Sequence, residues 1–246
     1  MVAQLTRPLT PLCVTWEVLP DDYPIPDDPV DNRTQPALAA ALTDSLSQAD
    51  RLPPGSITIT NYPLCATLNG QTVLKAPDWA YIPKITVPKT VINRSYTPHR
   101  QGEAPTIVME FLSHQEGGEY SIKSSYPPGK WFFYEQMLKV PYYAVFEPEL
   151  GSLELYHLEP EGSYKMQEKD NNDRYWIDPL QLFLGVWEGQ WHDRSGYWLR
   201  WWDKTDTLLL CGTEQAEQER QRAEQERQRA DRLLAQLRAA GIEPVV

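Results

Sequence analysis

Thr106-Ile107-Val108-Met109-Glu110-Phe111-Leu112 is the stretch on which the fold turns. Its β-branched and large apolar residues read as a buried strand, yet a carboxylate sits in the middle. Burying such a group is costly unless something pairs with it. A second acid, Asp78, follows Pro77 at the head of another apolar run, Trp79-Ala80-Tyr81-Ile82. Strand alternation puts Val108, Glu110 and Leu112 on one face. If the two runs are neighbouring strands, Asp78 and Glu110 can share a divalent cation, which makes their burial tolerable. The bland alternatives are an Asp78 that only caps a turn and a Glu110 that faces water from an edge strand.

Outward from this pair the chain divides into four zones. Residues 1–33 form a Pro/Asp-rich segment, with an acidic stretch from Asp21 to Asp31 too punctuated for regular structure. Residues 34–170 read as a core of strands and helices. Thr34-Gln35-Pro36 opens a helix running to about Ala49, with Leu38, Ala41, Leu42, Ser45 and Leu46 on its inner face. Strands are expected at Ile57–Ile59, once or twice between Leu64 and Leu74, and at Tyr142–Phe146 and Leu153–His157. The turn at Glu149-Leu150-Gly151-Ser152 makes the last two a hairpin. Residues 171–212 are a Trp-rich cap: positions 174–202 hold six of the nine tryptophans, with Gly185, Gly189 and Gly196 between them. They read as short strands and turns covering the core with large rings. The fold class is therefore α/β in the broad, α+β sense.

Residues 213–246 are a Glu/Arg-rich tail in which EQERQRA occurs twice in succession. Ala216, Ala223, Ala230 and Leu237 recur every seven residues, and Gly241 stops the helix. The seam is weak, so a single solvated helix or a weak oligomerisation arm is expected rather than a strong coiled coil. Its charges nearly cancel, which excludes a nucleic-acid arm.

The 246 residues allow one full core plus an appendage. The opening MVAQLTRPLTP lacks the marks of a signal peptide, and no run approaches a membrane span. Cys13, Cys65 and Cys211 lack metal spacing and read as free thiols, so a cytoplasmic protein is expected. His99, His114, His157 and His192 form no metal spacing either, and Ser113 reads as a turn residue. The net charge of −11 excludes a broad basic surface, so any action on nucleic acid needs a local basic patch.

Four motifs in order carry a resemblance: Ala76-Pro77-Asp78; Pro105 to Ser113 around Glu110; Gly129-Lys130-Trp131-Phe132-Phe133-Tyr134; and Val140 to Pro148. Over residues 34–170 the chain resembles the Uma-type family of bacterial restriction endonucleases, within the PD-(D/E)XK nuclease superfamily. The resemblance implies a restriction-endonuclease-like mixed β-sheet core flanked by helices, here with a long charged C-terminal helix. It implies a Mg²⁺- or Mn²⁺-dependent endonuclease acting on DNA, with Asp78, Glu110 and the main-chain carbonyl of Phe111 as metal ligands. Lys130 would be the catalytic lysine beside them. The superfamily's usual lysine position, two residues after the acid, is Leu112 here. The Uma-type pattern instead places the lysine on the following helix, four residues before a tyrosine, which Lys130 and Tyr134 match. The aspartate common four residues before that lysine is Tyr126 here. Glu119 can substitute for it, Lys123 can compete with Lys130, and the first helix offers only Asp44, near its far end. Double-strand cleavage needs two sites or two visits, so a homodimer, aided by the C-terminal helix, is also an expectation. The competing expectation is a catalytically silent relative acting as an interaction module through the Trp-rich cap and the tail.

Overall fold

A computed structural model of the chain describes residues 13–18, 20, 34–112 and 118–240. The Asp21–Asp31 stretch, Ser113, His114 and Gly241 lie outside them. The first half contains β1 (Val14–Thr15), α1 (Thr34–Gln48), β2 (Ile57–Ile59), β3 (Leu64–Leu68), β4 (Gln71–Lys75), β5 (Trp79–Ile82) and β6 (Ile107–Phe111). The second contains α2 (Lys130–Phe132), β7 (Tyr142–Glu147), β8 (Ser152–Leu158), β9 (Tyr164–Met166), β10 (Arg174–Ile177), β11 (Leu182–Trp191), β12 (Arg194–Trp202) and α3 (Gly212–Ala239).

The centre is a six-stranded sheet in the order β2-β5-β6-β7-β8-β9. All its neighbours are antiparallel except β6 and β7, which run parallel with Glu110 opposite Val145. Alternation gives this sheet two different faces. Trp79, Tyr81, Ile107, Met109 and Phe111 look to one side, where they form a core with Leu38, Leu42 and Leu46 of α1. Ala80, Ile82, Val108, Tyr143 and Val145 look to the other and pack with Leu64, Val73, Phe133 and Tyr134. A small sheet, β1-β3-β4, and the helical segment after Gly129 cover that second face. Glu110, in step with Val108, belongs to it.

The Trp-rich zone differs from its sequence reading. Two of its three strands are long, not short: β11 and β12 pair antiparallel from Phe183↔Trp202 to Trp191↔Arg194. Gly189 and Gly196, which look like turn signals, face each other inside the ladder. Gly189 is needed because the Trp187 indole lies over it, where a Cβ would overlap the ring. Trp191, Trp198, Trp201 and Trp202 are buried, three of them in one core with α1 and the large sheet.

The tail helix begins at Gly212, earlier than the EQERQRA repeat, and buries none of its residues. Its first turn is nevertheless fastened. Arg200, fully buried in β12, donates to Glu214 at 3.0 and 2.6 Å and to the Leu209 carbonyl at 2.9 Å. Glu214 also accepts the Cys211 N–H at 2.7 Å, and Asp44 of α1 accepts the Gly212 N–H at 2.9 Å. Glu214→Ala leaves the guanidinium buried with a single carbonyl partner and is expected to lower unfolding free energy by about 3 kcal/mol. Urea denaturation checks this against Glu217→Ala, a change on the exposed part of the helix that should leave the midpoint in place.

Candidate active site

Antiparallel pairing of Trp79 with Met109 makes Asp78 the next residue opposite Glu110, on the same face. β6 is an interior strand, so Glu110 does not face water from an edge; it is 1% exposed. One Asp78 oxygen accepts the Phe111 N–H at 2.6 Å. The Glu110 carboxylate accepts from the Tyr134 hydroxyl at 2.8 Å and from Lys130 Nζ at 2.9 Å. The same ammonium donates to Glu119 at 3.1 Å. Glu119 thus reaches the cluster, held by a Tyr143 hydroxyl that donates to its main-chain carbonyl at 2.9 Å.

The segment that delivers Lys130 is set by close packing. Gly129 precedes it where a Cβ would overlap the carbonyl and hydroxyl of Ser121, so only glycine lets the loop lie against the helix start. The expected α-helical turn from Lys130 to Tyr134 is only begun: α2 passes at Phe133 into a π-helix ending at Leu138. Both side chains still reach Glu110, and such π segments recur at functional sites. Tyr126, standing where the family pattern has an aspartate, instead donates to the Thr72 carbonyl of β4 at 3.1 Å.

Two residues from the sequence reading lie elsewhere. Asp44 sits at the start of α3 and serves the tail. What α1 sends towards the pair is Gln35, in its first turn, which donates to the Phe111 carbonyl at 2.7 Å. A search for acids on that helix passes over an amide. Lys123 is exposed and makes no ion pair among the described residues. Lys75, at the end of β4, was not singled out at all, yet it lies within electrostatic reach of Glu110 and Lys130. A lysine ending an exposed-looking hairpin carries no local signal of that kind.

Burial governs the electrostatics. It pushes the Asp78 carboxyl up to about 6, against the Phe111 N–H and Lys130, which pull it down. It pushes Glu110 up to about 8, with Lys130 opposing and Asp78 adding to the rise. Burial pulls on the Lys130 ammonium too, but Glu110 and Glu119 outweigh it and hold its proton above the ordinary lysine range. Near neutrality the pair therefore retains a proton, while Lys130 stays charged.

Among the described residues, no three His, Cys, Asp or Glu side chains form a metal-holding group. The donors at hand are two carboxylates and one main-chain carbonyl, all hard oxygen donors of the kind Mg²⁺ and Mn²⁺ take, with waters completing the shell. The Phe111 carbonyl already accepts Gln35 but has a second lone pair.

The profile of the Uma2 family, described as "Putative restriction endonuclease", matches residues 15–188. The chain belongs to that family. No curated protein matches it. The Uma2 match extends beyond residues 34–170 on both sides, from β1 into β11. It takes in Asp78, Glu110 and Lys130 and leaves β12 and α3 outside. The mixed sheet with flanking helices is the restriction-endonuclease-like core that goes with Uma2 membership.

The raised carboxyls give a pH dependence whose sign is fixed. Folded Asp78 and Glu110 bind protons more tightly than in the unfolded chain, so their contribution is fully present below the ordinary carboxylate range. It is lost as pH rises through about 6 and about 8. Asp78→Asn removes one of the two charges that must be buried. Its stability relative to the parent is expected to rise by roughly 1–3 kcal/mol between pH 5 and pH 8 without divalent ions. Urea unfolding at both pH values, in chelator, measures the difference. A difference independent of pH counts against the shared proton.

Proposed function

We propose that this Uma2 protein is a metal-dependent endonuclease that hydrolyses DNA phosphodiester bonds at the Asp78–Glu110–Lys130 cluster. The observation that carries the reading is the pair of same-face carboxyls, one on the residue that leads into β5 and one on β6, with Lys130 bonded to the deeper one. Asp78, Glu110 and the Phe111 carbonyl would hold Mg²⁺ or Mn²⁺. When bound, such an ion makes a water nucleophilic near neutral pH and offsets charge on the phosphoryl oxygens.

The chain's own residues have separable tasks. Asp78 is oriented by the Phe111 N–H, and Glu110 by Tyr134, so both carboxylates are fixed before any ligand arrives. Lys130 keeps its proton because two acids hold it, so it acts as a donor and not as a base. It can orient the attacking water and place positive charge beside the pentavalent phosphorus. Gln35 fixes the Phe111 carbonyl from the opposite side of the sheet end.

A second reading has one observation in its favour. α3 buries none of its residues from Gly212 to Ala239, which leaves a long charged helix free for a partner. In that reading the nuclease core is silent and the tail is the working part. The Trp-rich sheet contributes little surface to it, because most of its rings are inside.

Nicking of supercoiled DNA by the purified protein with Mg²⁺ or Mn²⁺ tests the first reading. Asp78→Ala and Glu110→Ala should each reduce the rate at least about 1000-fold, and Lys130→Met about 100-fold or more. Titration calorimetry with Mn²⁺ should show one ion bound by the parent and none by Glu110→Ala. Nicking that survives both acid substitutions would sink the site assignment. No cleavage and no cation binding would leave the tail-mediated module.

A further inference from the structure

The acidic chain needs a local source of positive charge for DNA, and the lysine at the centre of the site does not supply it. Lys130 lies between Glu110 at 2.9 Å and Glu119 at 3.1 Å, so its charge is already committed. Lys75 is differently placed. It ends β4, three residues before Asp78. Val73, two positions earlier on the same strand, packs in the cluster with Val108, Tyr134 and Tyr143. Alternation therefore turns Lys75 towards the face of the large sheet that carries Glu110. The Tyr126–Thr72 hydrogen bond fastens the loop carrying Lys123 to this same strand.

Lys75 is half-buried and makes no ion pair among the described residues. Burial first, and then the neighbouring Lys130, make its charged form less favourable than that of an ordinary lysine; Glu110 opposes them and Lys123 adds to them. An ammonium in that position gains most from an incoming anion, because part of its hydration is already lost and Coulomb attraction is less screened. A phosphodiester beside the carboxylate pair is such an anion.

We infer that Lys75 is a phosphate-binding residue, which holds a DNA backbone phosphate next to the one cleaved at the Asp78–Glu110 pair. The inference rests on the nuclease reading and adds to it the group that positions the substrate. Lys130, held between its two acids, then orients the attacking water, and Lys75 holds the strand on one side of the reacting phosphate. Lys123, exposed on the adjoining loop, extends the same basic edge.

The test is equilibrium binding of a fluorescent duplex by the full chain, with Ca²⁺ replacing Mg²⁺, over a series of salt concentrations. A residue that neutralises one phosphate contributes about 0.9 to the slope of log K against log salt. Lys75→Ala is expected to lower that slope by about 0.9 and to weaken binding uniformly across sequences. Lys75→Arg should keep the parent slope, as should Lys204→Ala in the turn after β12. Thermal melting of Lys75→Ala, together with Lys75→Met, separates a lost contact from a lost fold. A parent that binds DNA, with folded Lys75→Ala and Lys75→Met matching its slope, overturns the Lys75 assignment and leaves the nuclease reading standing. A parent that binds no DNA overturns both.

Discussion

A carboxyl buried in a sheet strand, faced by a second carboxyl at the entry to the neighbouring strand, is the constraint to which the rest of the molecule answers. Asp78 and Glu110 face the same way because β5 and β6 pair antiparallel in one register; a slip by one residue would turn Glu110 into the α1 core. The next pairing, β6 with β7, is parallel and cannot be closed by a tight turn. The chain must cross over one face of the sheet between Leu112 and Pro141, and it does so on the face that carries Glu110. Glu119, Lys130 and Tyr134 all lie on that crossover. The topology that completes the sheet is thus also what brings a lysine and a phenol to a buried acid.

How much of this was legible in the residues depends on whether the signal was local. The inner face of α1 follows from the spacing of Leu38, Leu42 and Leu46, all buried as expected. The carboxylate inside Thr106–Leu112 announced an unusual burial because nothing else in that run is polar enough to explain it. Lys130 and Tyr134 stand out only through the resemblance to the Uma-type pattern, which places a lysine four residues before a tyrosine. Gln35 and Lys75 do not stand out even so, because each matters only through a contact made by the tertiary fold. Gln35 lies 76 positions from the carbonyl it serves. The glycines of the Trp-rich zone misled for a related reason. A glycine that permits a turn and one that admits a neighbouring indole look alike in sequence, and only the β11–β12 register distinguishes them.

Among the described residues, two sets of ion pairs have a deeply buried member, Arg200 with Glu214 and Lys130 with Glu110, and comparing them separates structure from chemistry. Arg200 and Glu214 are closed: the guanidinium makes two bonds to one carboxylate and a third to a carbonyl, and that carboxylate also caps α3. The charges match, and the pair fastens the tail to the core. Such an arrangement has little to offer a ligand, since any newcomer would have to displace better-made bonds.

The Lys130 cluster is unbalanced by contrast. One ammonium is bonded to both Glu110 and Glu119, and Asp78 lies within its electrostatic reach without a bond to it. In a low-dielectric setting that surplus is relieved either by a retained proton or by added positive charge. The raised Asp78 and Glu110 values express the first route; a divalent ion offers the second. On the proposed nuclease reading the two would compete for the same oxygens, which would link proton and metal occupancy. The oxygens of the pair are fixed by Tyr134 and the Phe111 N–H. That uneven gathering of acids around one lysine, more than any single residue, is what sets the cluster apart from the closed pair at the tail, where one guanidinium meets one carboxylate.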